Sequence, residues 1–237
     1  YALGEIVLVV IGILIALSIN NWNENRKSSE LEESYYCLLL NDIEEDKEQI
    51  KTLIAVNKKR IENSNIAITT IQSENIDLTE LGSKINLSRR DMTQSFIPNS
   101  STYEDIKSSG NINTLKDSQI RKSLNQYIKK TEDLNSVILG NMNLVFNRLA
   151  QTADWFNSGV LHAEYKKLFP REIQKNLSVD FPNKIPEETK ARLYEDLVME
   201  GILLRRRSEL LNLIDNQINI MNSKLADKCK VKSDYIK

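Results

Sequence analysis

Side chains able to do chemistry are few in this chain and stand apart from one another. Tyr103, Glu104 and Lys107 lie together in Ser101-Thr102-Tyr103-Glu104-Asp105-Ile106-Lys107-Ser108-Ser109-Gly110-Asn111. An acid and a base so close are the groups an enzyme would use to move protons. However, no nucleophile-plus-base set can be assigned around them or around His162, the single histidine, and one histidine makes no zinc site. Asp42, Glu44, Glu45, Asp46 and Glu48 offer the carboxylates a hard cation takes, although such a run is ordinarily a solvated helix face. Arg205-Arg206-Arg207 would grip an anionic head group or a partner's acid, and a solvated basic turn is the plainer reading. Cys37 and Cys229 are expected as two free thiols. They would pair only if the end of the last helix returns to the stalk near the membrane. No catalytic residue, cofactor site or metal site is defined, and a non-enzyme is expected. A catalytic site would have to sit in the irregular segments 73–116 or 159–186, because loops on a scaffold carry chemistry.

The element that must position all of this is at the start. Residues 6–19 run without a charge, and beyond Trp22 the chain turns polar. Fourteen residues make about 21 Å of helix, against about 30 Å of hydrocarbon. Such a run is the core of a signal peptide, a buried soluble helix, or part of a longer span. The absence of Met at Tyr1 and of a basic segment before the run leads to the expectation that upstream residues complete a span, with Tyr1 and Trp22 near its interfaces. Residues 1–22 are therefore read as a transmembrane anchor and 23–237 as an extramembrane bundle. Glu5 in lipid would be protonated, paired or facing protein. Gly12 and Ala16 form a small-xxx-small pair on a similar face, which makes Glu5, Gly12 and Ala16 candidates for contact with another membrane helix.

Composition agrees with helices. The 237 residues hold only seven Gly and four Pro, and a net charge of −1 excludes a strongly electrostatic nucleic-acid binder. Apolar residues at 3-4 and 7 spacings from Leu31 to Ile71 predict one long helix continuing from the anchor to about Gln72. Residues 79–81 and 88–96 are expected as short helices punctuated by Gly82 and Pro98. Ser101 or Thr102 should cap a further short helix that buries Tyr103 and Ile106 and stops at a left-handed Gly110. Asp117 or Ser118 should cap a long helix reaching Trp155 and Phe156, with Gly140 as a candidate kink. Pro170, Pro182 and Pro186 break the next stretch, where residues 162–169 are expected as one short helix. Pro186-Glu187-Glu188-Thr189 opens the last helix, in which Leu197, Leu204, Leu211, Ile218 and Leu225 recur every seventh residue. Arg207 falls on this seam, so it should pair or snorkel. The tail from Asp227 is expected to fray.

Two stretches carry a resemblance. Gly4-Glu5-Ile6-Val7-Leu8-Val9-Val10-Ile11-Gly12-Ile13-Leu14-Ile15-Ala16-Leu17 leads into Asn20-Asn21-Trp22-Asn23-Glu24, and the Tyr103 motif follows downstream. Together they resemble a family of uncharacterised single-pass membrane proteins of Bacteroidota, classed as a domain of unknown function. The resemblance implies a cytoplasmic amino terminus and a periplasmic body, because its members begin with a short basic segment that this chain lacks. It implies no activity and no catalytic residue. The expectation is an all-α protein: a single transmembrane helix continuous with a long stalk, packed in an elongated bundle with two further long helices. It would serve as a non-catalytic interaction or scaffold subunit of an inner-membrane complex. Its partners would be the lipid bilayer and other proteins, self-association included, with no cofactor, no nucleic acid and no small-molecule substrate. Tyr103, Glu104, Lys107, Arg205 and Arg206 are its candidate contact residues. The alternative is a ligand-sensing bundle that signals through a partner.

Overall fold

The computed structural model describes residues 2–150, 168–176 and 185–229, and every regular element among them is a helix. Helix α1 is Ala2–Gln72, α2 Leu78–Arg89, α3 Ser101–Ser108, α4 Ser118–Ala150, α5 Arg171–Asn176 and α6 Glu187–Ala226. Trp155, Phe156 and His162 lie outside the described residues, as does nearly all of the short helix expected at 162–169.

Helix α1 runs unbroken for 71 residues because no proline occurs before Pro98. Its first part is apolar enough to cross a membrane, and the 18-residue window that qualifies is 0% buried. Ile6, Leu8, Leu14 and Ile19 are all open. A helix in the core of this chain would hide these side chains, and none of the described residues covers them.

From Tyr36 onward α1 buries one face in strict 3-4 alternation: Tyr36, Leu39, Ile43, Asp46, Ile50, Leu53, Asn57, Arg60, Ser64, Ala67 and Ile71. Helix α2 starts at Asp77, whose carboxylate accepts from the backbone N–H of Thr79 (2.9 Å) and Glu80 (3.0 Å). The helix expected at 88–96 does not form. The chain leaves α2 after Arg89, passes through a left-handed Asp91 (φ 56°), and gives the Met92 and Gln94 carbonyls to Arg207. Gly82 lies buried inside α2 and does not end it. Gly110 adopts φ 74° after α3 and opens a single 3-10 turn, Asn111–Thr114. Asp117 caps α4 by accepting from Gln119 N–H at 2.9 Å, and Gly140 lies within that helix. Pro186 precedes α6 and accepts from Lys190 N–H.

The chain divides into two compact units. Unit 1 comprises residues 1–46, 98–129 and 218–237. It buries Leu39, Ile43, Ile106, Leu115, Leu124, Ile218, Met221 and Leu225. Unit 2 comprises residues 47–97 and 130–217. One of its clusters joins Ala67, Ile71, Leu81, Ile85, Ile185, Leu193 and Leu197; another joins Met92, Met142 and Val145. Within unit 2, α6 lies antiparallel to α1. The Asn57 amide donates to Leu204 O (3.0 Å), while Gly201 faces Ser64 and Ile68.

Candidate functional site

In unit 1 the Tyr103 motif is fastened to the stalk by carboxylates. Asp42 Oδ2 accepts the backbone N–H of Thr102 at 3.0 Å, in the first turn of α3. Asp46 accepts the N–H of Asn99 (2.8 Å) and the hydroxyl of Tyr127 (2.5 Å), and Glu45 accepts from the Asn99 amide (2.8 Å). Asp46 is 1% exposed, and burial pushes its carboxyl up to about 6 against the pull of Tyr127 and Asn99. The same burial drives the Tyr127 hydroxyl upward. The acidic run is therefore no solvated face at Asp42 and Asp46. These two side chains are internal acceptors that hold the loop before α3.

Tyr103 is taken up in the interior of unit 1, where its hydroxyl donates to Asn125 Oδ1 at 2.7 Å. Glu104 and Lys107 remain exposed, 4.0 Å apart, with the ammonium 6.0 Å from the Tyr103 ring centroid. This face therefore exposes the pair Glu104 and Lys107, with Tyr103 beneath it. Glu5, Gly12 and Ala16 stand exposed on α1, and nothing lies near a Cβ built at Gly12.

The cysteines are paired. Cys37 and Cys229 form a disulfide with Cα atoms 4.8 Å apart, so the free-thiol expectation is corrected. The cause is the antiparallel return of α6, which brings its carboxyl end to the stalk. Lys228 meets Asp117 at 2.8 Å and Lys224 donates to Ser123 Oγ at 2.7 Å, so residues 227–229 are tied down where fraying was expected. The Lys228 ammonium holds the Asp117 carboxyl below its ordinary range.

In unit 2 a charged cluster fills the interior between α1, α2 and α6. Glu200, 1% exposed, accepts from Ser88 Oγ (2.6 Å) and Arg89 Nε (2.8 Å). Arg60 donates from Nε to Ser88 O at 3.1 Å. Arg207 donates to Met92 O at 2.9 Å and to Gln94 O. Arg207 therefore pairs with backbone carbonyls and does not snorkel. The rest of the basic triplet is solvated: Arg205 reaches Gly201 O and Asn65 Oδ1, and Arg206 pairs with Glu209.

A cleft of about 200 Å³ adjoins this cluster, lined by Leu144, Val145, Met199 and Leu203 and by the ion pairs Arg89–Glu200 and Arg148–Asp196 (3.2 Å). Its lining suits an apolar group with a polar end. Burial raises the Asp196 carboxyl, which the Arg148 and Arg89 charges offset in part.

None of Arg60, Ser88, Arg89 and Glu200 was singled out from sequence. The signal was present: Asn57, Arg60 and Ser64 continue the 3-4 spacing from Leu53 to Ala67, and Glu200 stands seven residues before Arg207 on the leucine seam.

These features define a helical-bundle protein whose first helix begins with an exposed apolar run and whose interior holds buried ionic groups. The chain belongs to a family of unknown function (DUF6090), whose model matches residues 5–154. No curated protein and no solved structure was found to match it.

Proposed function

We propose that this chain is a membrane-anchored, non-catalytic interaction or scaffold subunit of a bacterial envelope complex in Bacteroidota. α1 would hold it in the inner membrane, with the amino terminus cytoplasmic and the bundle periplasmic. The carrying observation is the Cys37–Cys229 disulfide on a helix whose preceding apolar run is wholly open. Disulfides persist in oxidising compartments, which favours a bundle outside the cytoplasm. An apolar run with no protein cover favours lipid as its solvent. Exposed Ile202 and Leu213 on α6 in unit 2, together with Glu104 and Lys107 in unit 1, offer surfaces for protein partners.

Two measurements test this reading. Thiol labelling of intact cells, with and without reductant, should find Cys37 and Cys229 protected until reduced; labelling without reductant overturns the periplasmic placement. Detergent extraction followed by size analysis should find an oligomer or a co-purifying protein, and a lone monomer counts against the scaffold. Replacing Glu5 with Gln should leave the bundle folded. If assembly is then unchanged, the contact through Glu5, Gly12 and Ala16 fails.

The unit 2 cleft favours a second reading, a ligand-sensing bundle that signals through a partner. A thermal-shift screen of small amphiphiles separates the two: a hit that Leu203→Trp abolishes supports sensing.

A further inference from the structure

Every charge in the wall of the unit 2 cleft already has its counter-charge. Arg89 Nε lies 2.8 Å from Glu200 Oε2, and Arg148 Nε lies 3.2 Å from Asp196 Oδ1. The carboxylates are the more deeply buried members, with side chains 1% and 10% exposed. An anionic ligand would draw an arginine away and leave a buried carboxylate alone. A cationic ligand would draw a carboxylate from its arginine. Breaking a buried pair in either way is strongly unfavourable. An uncharged ligand disturbs neither. The cleft also makes no unmet polar demand, since no buried side-chain nitrogen or oxygen of its lining residues lacks a partner.

The rest of the lining is hydrocarbon and thioether: Leu144 and Val145 from α4, Met199 and Leu203 from α6. Such walls favour apolar surface. The volume of about 200 Å³ sets the size. An apolar cavity of about 150 Å³ takes up benzene, so this one suits a ring or chain of roughly six to eight carbons. A carboxylate engaged by one arginine keeps lone pairs for a further donor. A hydroxyl can therefore bond at the Arg148–Asp196 pair without displacing either partner.

We propose that the unit 2 cleft binds a small uncharged amphiphile, a hydrocarbon ring or chain of roughly six to eight carbons carrying a hydroxyl, and discriminates against its anionic and cationic counterparts. The hydrocarbon lies against Leu144, Val145, Met199 and Leu203, and the hydroxyl donates to Asp196. This inference rests on the sensing reading of the cleft and adds to it the class of ligand.

The test uses the full chain in lipid nanodiscs, where no detergent tail competes for the cleft. Its methionine methyl groups are labelled with carbon-13, and the probes are hexanol, hexanoate and hexylammonium, which share one chain and differ in charge. Met199 lines the cleft, and Met221, buried in unit 1, serves as the internal reference. Hexanol should shift the Met199 resonance saturably and leave Met221 in place. Hexanoate and hexylammonium should bind more weakly by about tenfold or more. Leu203→Trp should fill the cleft and abolish the hexanol shift. Should that variant not fold, Leu144→Lys, at an exposed position, should weaken the shift instead. A charged probe that matches hexanol at Met199 overturns the proposal and leaves a ligand site standing. If no probe moves Met199 the proposal falls, and the wider amphiphile screen decides whether the sensing reading falls with it. A hexanol shift that persists in both variants, or that appears equally at Met221, also overturns it.

Discussion

Replacing both Cys37 and Cys229 with Ser should lower the stability of the bundle by about 3–5 kcal/mol. The bond closes a separation of 192 residues. Loop-closure entropy for a loop of that length corresponds to about 5 kcal/mol at 25 °C, and measured effects of disulfides more often fall at about 2–4 kcal/mol. Other contacts at this end of α6 cannot replace it. Lys228–Asp117 and Lys224–Ser123 are solvent-facing, and exposed pairs are screened. For a chain of this size about 2 °C of melting temperature corresponds to each kcal/mol, so the double variant should melt roughly 6–10 °C lower. The assay is far-UV circular dichroism of the detergent-solubilised chain, for the double variant and for the parent with and without reductant. Reduced parent and double variant should coincide. A midpoint unchanged in both would refute the claim that the bond constrains the chain.

Three further outcomes follow from particular residues. Asp46→Asn should change the pH dependence. The native carboxyl titrates near 6 and the unfolded one near 3.8, so between these values the native state holds the extra proton. The parent should gain about 3 kcal/mol over Asp46→Asn as pH falls from 7 to below 4, and denaturant titrations at pH 4 and 7 measure the difference. Gly110→Ala should cost about 1–2 kcal/mol through φ 74° alone, because nothing lies within 4 Å of the added Cβ; a chemical melt reads it. Glu200→Gln should cost about 3–5 kcal/mol, since it removes the charge that Arg89 and Ser88 surround at 1% exposure, and a thermal melt checks the value.

Legibility divided along chemistry. The end of α1 at Gln72, the left-handed Gly110, the inward Tyr103 and Ile106, and the leucine seam of α6 all follow from periodicity and caps. Such features are local, so a single stretch of sequence carries them. The buried face of α1 was less legible. Ile54, Ile61 and Ile68 draw the eye to a neighbouring face, yet they only flank the seam, while Asn57, Arg60 and Ser64 occupy it. A polar letter reads as solvent-facing unless its acceptor is known, and the acceptors of Asn57 and Arg60 lie 147 and 28 residues away. Asp46 misled in the same way, with Tyr127 81 residues distant. The disulfide depended on the direction of α6, which heptads leave open. The expected helix at 88–96 failed because Arg207, 115 residues on from Met92, takes that segment's carbonyls.

The charged interior also resolves an ambiguity of heptad packing. A leucine seam repeats every seventh residue, so α6 sliding by seven along α1 keeps apolar side chains inside. Glu200 and Arg207 are seven apart and opposite in charge. A slide that moves Arg207 to the place of Glu200 sets it against Arg89 and leaves the Met92 and Gln94 carbonyls facing Ile214. The opposite slide presses the Glu200 carboxylate against those carbonyls and sets Leu193 beside Arg89. Either slide breaks buried pairs at about 3–5 kcal/mol each. Glu200→Leu combined with Arg207→Leu leaves the leucine seam continuous but strands Arg89 and the Met92 and Gln94 carbonyls, so stability should fall while the register loosens. Disulfide yield reads the register, because a slide of seven residues carries Cys229 about 10 Å along the helix axis, beyond bridging distance of Cys37. The double variant should therefore show a mixture of oxidised and reduced chains on a non-reducing gel. Full oxidation of the double variant would mean that apolar packing alone sets the register.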